Sequence, residues 1–196
     1  DIGCGSGILS FMLAQHHLDA MILAVDISNH AIELALRNKA AIPFAANVSF
    51  IHKHFNDLNN DLIPLDLIIC NPPYFKSSLL PVNLERQRQR HATNFNFDSF
   101  ATFSNRHLVK DGCVCMVIPY YFETELSFRM SLEGLYLLDL VIVKHTDSSE
   151  PSLCLCRYVL RQGKLNKTNL ILFKDDNTLT PAFRDLTYPF LNFNKE

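Results

Sequence analysis

Two stretches of the chain hold residue types that do chemistry only in combination. Asp1-Ile2-Gly3-Cys4-Gly5-Ser6-Gly7 alternates three glycines, and Asn71-Pro72-Pro73-Tyr74 sets a carboxamide against two prolines and a phenol. Alternating glycines let a backbone take positive φ and approach a ligand with no Cβ in the way. The spacing is G-x-G-x-G, not the dinucleotide pattern G-x-G-x-x-G, and no phosphate-gripping Lys-Ser/Thr follows. Roughly 20 residues beyond such a loop, a carboxylate is expected on the ribose hydroxyls of an adenosine-type ligand. Asp26 stands there, with two acceptor oxygens for two hydroxyl donors. A glycine loop alone also suits a tight turn; Asp26 favours the ligand.

Asn-Pro is itself a turn signal, so N-P-P-Y read alone is as good a turn as a site. Its place after an apolar run and beside the glycine loop favours a site. An exocyclic amine on a base is a weak nucleophile, because its lone pair is delocalised into the ring. The Asn71 side-chain oxygen and the Pro72 carbonyl can each accept one amine hydrogen. That favours a pyramidal nitrogen with its lone pair aimed at a sulfonium methyl group. The prolines stiffen the acceptors, and Tyr74 is suited to stack on a flipped-out base. Methyl transfer of this kind is largely a matter of alignment. It needs no catalytic His–Asp pair and no metal.

The elements that would position these residues follow from apolar runs. Ala20 to Val25, Val48 to His52, Leu65 to Cys70, Cys113 to Ile118, Tyr136 to Val143 and Leu153 to Leu160 read as strands. The run Leu170 to Phe173 is a short additional one. Helices are predicted over Ile8–Gln15, from Ser28 or Asn29 through Leu36, over Phe97–Leu108 with Phe100, Phe103 and His107 on one stripe, and over Glu123–Leu132. Asp111-Gly112 reads as a turn. Phe183 and Phe190 in the tail read as core. Strands alternating with helices predict an α/β, doubly wound, mostly parallel sheet. Ligands bind such sheets at the strands' carboxyl ends, where both loops and Asp26 fall.

Bulk properties narrow the class. The 196 residues suit one domain spanning 1–196, and 48% hydrophobic with 19% charged content is globular. A net charge of −2 supplies no global basic field for nucleic acid, so such contact must come from a local patch. The six cysteines show no zinc spacing; two C-x-C pairs put both thiols on one strand face, as free thiols of a reducing cytoplasm would be. No apolar run reaches the roughly 20 residues of a membrane span. The chain opens at Asp1 inside what reads as a strand-to-loop junction, so a preceding strand is expected.

D-I-G-C-G-S-G, Asp26 and N-P-P-Y together make the chain similar to class I S-adenosylmethionine (SAM) methyltransferases of the amino-methylating branch. The resemblance implies a Rossmann-like, seven-stranded sheet with an antiparallel last strand, its first strand preceding Asp1. A narrower resemblance rests on Asn71 through Ser77, on Arg86 with Arg90-His91, and on Leu179 through Thr187. These resemble the bacterial tRNA1(Val) adenine-N6 methyltransferase family. That family implies SAM as cofactor, held by Asp1, Gly3, Gly5, Gly7, Asp26, Ile27, His54 and Asn71. It implies Asn71, Pro72 and Tyr74 as catalytic residues. Pro73, Phe75, Lys76, Arg86, Arg90 and His91 would contact the anticodon stem-loop of tRNA. It also implies a cytoplasmic enzyme, expected as a monomer and without a metal. One departure stands out: the family usually has an acidic residue at the position of His54. Lys76, Arg86, Arg88 and Arg90 against the single acid Glu85 read either as a solvated face or as a phosphate-binding patch. Two other functions share part of the pattern: glutamine methylation of peptide-chain release factors, and a non-catalytic SAM- and RNA-binding paralogue.

Overall fold

The structure, a computed structural model, describes residues 1–58, 62–72, 95–188 and 190. Among the described residues seven strands are formed: β1 (Ile22–Asp26), β2 (Val48–His52), β3 (Leu65–Cys70), β4 (Leu108–Pro119), β5 (Tyr136–Lys144), β6 (Pro151–Val159) and β7 (Asn166–Ile171). The helices among the described residues are α1 (Ile8–His16), α2 (Asn29–Lys39), α3 (Phe97–His107), α4 (Glu123–Leu132) and α5 (Pro181–Thr187).

β1 and β2 pair in parallel, and the other strands lie in the order β3-β4-β6-β5-β7. Ile2 joins the two halves, bridging Val25 of β1 and Cys70 of β3 in parallel. β6 runs antiparallel to both β4 and β5, as the family resemblance implies. The apolar run near Leu170 becomes β7, shifted to Asn166–Ile171 and paired in parallel with β5 as an edge strand. Its first four residues are exposed, so its polar sequence hid it from a search for apolar runs.

Helices flank both faces, as the alternation of side chains along β1 demands. Ile22 and Ala24 pack with Phe11 of α1 and Ile32 of α2, in two small clusters. Leu23 and Val25 belong to the main core with Phe100 of α3 and Leu126 and Met130 of α4. Each such fully buried side chain contributes roughly 1.5–3 kcal/mol relative to exposure. Ser28 caps α2 by accepting from the Ala31 N–H, and Asn96 caps α3 by accepting from Asp98 and Ser99.

Two expectations from the sequence need correction. Asp111-Gly112 is not a free turn but lies within β4, where the register against β3 jumps from Leu108 to Cys113. A Cβ on Gly112 would come 2.8 Å from the Asp66 carbonyl oxygen, so the glycine admits the neighbouring strand. Phe183 and Phe190 are only half-buried rather than core. They make ring contacts with Phe173 and His16 at 6.4 and 4.7 Å.

All six cysteines are free, and the two pairs differ. Cys154 and Cys156 point into the core with sulfurs 3.7 Å apart. Cys113 and Cys115 occupy the opposite face, half-buried, and Cys115 lies in register with Arg157. A hydrogen bond from the Cys115 thiol, helped by the Arg157 guanidinium, brings Cys113 down to about 6. Burial pushes Cys4 up to about 11 and Cys70 beyond that. A group with a lowered pKa is thiolate above that value, and thiolate is the reactive form. At pH 7.5 native protein should therefore react with iodoacetamide first at Cys113, with Cys4 and Cys70 silent; labelling of Cys4 ahead of Cys113 in a peptide map would contradict this.

Candidate active site

The register of three adjacent strands builds the site. Ile2 stands opposite both Val25 and Cys70. The next residue on each segment is Gly3, Asp26 and Asn71, so these three form a row at the carboxyl edge. Neighbouring strands lie about 4.8 Å apart, so the row spans roughly 10 Å. Main-chain bonds pin it: Ile2 N–H donates to Ile69 O at 2.9 Å, Val25 N–H to Asp1 O at 2.9 Å, and Gly3 N–H to Val25 O at 2.9 Å.

The three glycines meet different demands. All have positive φ, at +71° for Gly3, +54° for Gly5 and +83° for Gly7. Cβ atoms built on Gly3 and Gly5 would meet nothing within 4 Å. Space remains there for a ligand to lie against bare backbone. A Cβ on Gly7 would strike Phe50 at 2.8 Å and Phe11 at 2.9 Å. Gly7 is the N-cap of α1 and lets the helix close on β2. Between the glycines, Cys4 is buried against Ala24 and Ile32 and anchors the loop. Asn38 of α2 donates to the Ser6 carbonyl at 3.0 Å.

Asp26 organises the loops as well as facing the site. Its Oδ2 accepts from Gly5 N–H at 2.9 Å and its Oδ1 from Ser28 N–H at 2.8 Å. A carboxylate oxygen has two lone pairs, so each keeps one acceptor site for a ligand hydroxyl. Ile27, the next residue, is 54% exposed and offers an apolar surface beside the loop. Its carbonyl accepts a hydrogen bond from His52 Nε2 at 3.0 Å.

His54 lies just past β2, capping the 3-10 turn Phe55–Asp57 and stacked on Phe55 with ring centroids 4.5 Å apart. Its Nδ1 accepts from Asn56 N–H at 3.2 Å. The neutral ring then carries its proton on Nε2. The free ring edge is a donor, whereas a carboxylate at this place would be an acceptor. It suits a ring nitrogen of adenine rather than its amine.

Asp1 shows an unmet demand. Its Oδ2 accepts from Ser10 Oγ at 2.6 Å, while Oδ1 is buried with no hydrogen-bond partner. A buried, unpaired carboxylate oxygen is costly unless a donor reaches it. SAM has such a donor in its ammonium group. The orphaned oxygen and the open space at Gly3 and Gly5 both fit SAM. Ser10 was not singled out from the sequence; the available signal was one polar residue in the apolar stretch Ile8–Ala14.

Asn71 is exposed and Pro72 buried, so the start of the second loop is anchored at the row. Tyr74, Pro73, Phe75, Lys76, Arg86, Arg90 and His91 lie outside the described residues. Among the described residues no cluster of metal-ligating side chains occurs, and no helix is long and apolar enough to cross a membrane.

Comparison with known proteins agrees with this geometry. The Methyltransferase small domain family model matches residues 1–131. The chain is 28% identical over 198 residues to the tRNA1(Val) (adenine(37)-N6)-methyltransferase of Escherichia fergusonii, covering 98% of this chain and 80% of that protein. The same figures hold for the protein of that name from Shigella sonnei. Among solved structures, a predicted O-methyltransferase from Agrobacterium tumefaciens superposes with a TM-score of 0.75 at 16% identity, covering 96% of this chain and 86% of that one. The 16S rRNA (adenine(1408)-N(1))-methyltransferase of Catenulisporales acidiphilia gives 0.58 at 15% identity, with 84% of each chain covered. With that family model matching residues 1–131 and the sheet shared with solved methyltransferases, the chain belongs to the Methyltransferase small domain family and is a SAM-dependent methyltransferase.

Proposed function

We propose that the protein methylates the exocyclic N6 of an adenosine beside the anticodon of a tRNA of the tRNA1(Val) type. The observation that carries this reading is the register aligning Gly3, Asp26 and Asn71 at one strand edge. It brings a cofactor loop and an amine-accepting loop within about two strand spacings of each other. The Escherichia fergusonii and Shigella sonnei relatives, named as tRNA1(Val) (adenine(37)-N6)-methyltransferases and 28% identical to this chain, support the finer choice of substrate.

SAM supplies an electrophilic methyl group on a sulfonium. Gly3 and Gly5 admit it against the backbone, Asp26 accepts from its ribose hydroxyls, Ile27 packs beside its base, and Asp1 faces its ammonium. His54 donates from Nε2 toward a ring nitrogen of that base. The Asn71 side-chain oxygen and the Pro72 carbonyl accept the two hydrogens of the target amine and direct its lone pair. The proton leaves to water after transfer, so no strongly perturbed base is required. Tyr74, with Pro73 and Phe75, holds the flipped-out adenine. Lys76, Arg86, Arg90 and His91 hold phosphates of the anticodon arm, a local patch on a chain without global positive charge. The enzyme acts in the cytoplasm, as a monomer.

The test gives the full-length protein radiolabelled SAM with unmodified tRNA and, separately, a peptide-chain release factor. Label is expected in tRNA, at N6-methyladenosine after nuclease digestion. Label in the release factor alone would replace this reading with glutamine methylation.

A further inference from the structure

We propose that Ser10 is a positioning residue for the amino-acid end of SAM, acting through Asp1. The inference rests on SAM lying along the Gly3–Gly5 loop with Asp1 facing it. Ser10 is fully buried in the first turn of α1. Its hydroxyl makes a short bond, 2.6 Å, to Asp1 Oδ2. That bond occupies one acceptor site of Oδ2, while the other oxygen, Oδ1, is buried and unpaired. Nothing else among the described contacts of Asp1 restrains its side chain; its main chain is fixed by the bonds to Leu23 and Val25. The carboxylate is thus held in one orientation, with Oδ1 enclosed and left without a donor.

The chemistry of the unpaired oxygen selects a cation with N–H donors. A buried carboxylate oxygen without a donor is a strained ground state, and a charge-assisted bond to an ammonium relieves it. SAM has one ammonium, at its amino-acid end. An alanine at position 10 frees Oδ2 to compete for the same donor and lets the carboxylate rotate. The loss falls on the ammonium contact and spares the adenosine contacts of Asp26.

The experiment is a cycle of two proteins and two ligands, read by calorimetry on the full-length protein. S-adenosylhomocysteine keeps the ammonium; 5′-methylthioadenosine keeps the adenosine and sulfur but lacks it. Ser10→Ala should weaken S-adenosylhomocysteine roughly 10-fold, because the acceptor of its ammonium is no longer held in one orientation, and change 5′-methylthioadenosine less than about two-fold. Asp1→Asn should lower the same selectivity, and Ser10→Ala added to it should cost little more, because the two act as a unit. Equal weakening of both ligands, or additive losses in the double variant, would mean that Ser10 only supports the fold. Binding of neither ligand by the unaltered protein would overturn the cofactor placement along with it.

Discussion

Asn71→Ala should abolish methyl transfer while leaving SAM binding within about two-fold. Asn71 stands one residue beyond β3, exposed, in the row with Gly3 and Asp26. In the mechanism proposed above, its side-chain oxygen is the acceptor that draws an amine hydrogen out of the plane of the base. Without it the amine stays planar and its lone pair remains in the ring. In the proposed placement the cofactor's ribose and amino-acid ends lie with Asp26 and Asp1, which the change does not touch. The cost falls on the reacting geometry, where loss of one directed hydrogen bond costs roughly 10²–10³ in rate and misalignment adds more. Single-turnover transfer to tRNA measures the chemical step and calorimetry with S-adenosylhomocysteine the binding. Turnover close to that of the parent protein would show that the amine is not held this way.

Gly7→Ala should destabilise the protein by about 2–5 kcal/mol, far more than the same change at Gly3 or Gly5. Two costs combine. A left-handed conformation costs a residue with a Cβ about 1–2 kcal/mol, and Gly7 sits at φ +83°. The new methyl would also lie 2.8–2.9 Å from ring carbons of Phe50 and Phe11. Those rings meet edge-on at 5.5 Å in a small core with Ile22 and Val48, and overpacking costs about 1–3 kcal/mol. At Gly3 and Gly5 only the first cost applies, since the space is open. Stability is about 5–15 kcal/mol for a typical domain, so the difference is easily read. Urea unfolding of the three variants checks it; a loss at Gly7 no larger than at Gly3 would show that α1 can move away from β2. The variants should diverge in the opposite sense in SAM binding, because a methyl at Gly3 or Gly5 projects into the ligand's space.

Most of the architecture was legible because parallel strands are buried on both faces and so read as unbroken apolar runs. Val48–His52 and Leu65–Cys70 come out with the bounds the sequence predicts. β4 extends back to Leu108, over a stretch whose Asp111-Gly112 reads as a turn. β7 was misplaced because an edge strand needs no apolar sequence: Asn166 to Asn169 are exposed. Its backbone bonds to β5 make it a strand, and backbone bonding leaves no mark in side-chain pattern.

The site divides in the same way. Residue types and spacing alone pointed to SAM as the cofactor, and they picked out Gly3, Asp26 and Asn71, which the fold brings into one row. Chemistry that requires a bare backbone, a carboxylate or a carboxamide limits the residues that can supply it. The tertiary structure alone decided which glycine serves which purpose. Gly3 and Gly5 face open space and Gly7 faces Phe50, a distinction set by a strand some 40 residues away. It also paired Ser10 with Asp1 and turned the free edge of His54 into a donor by engaging its Nδ1. These are properties of contacts between segments, and one segment's residue types do not reveal what another brings against it.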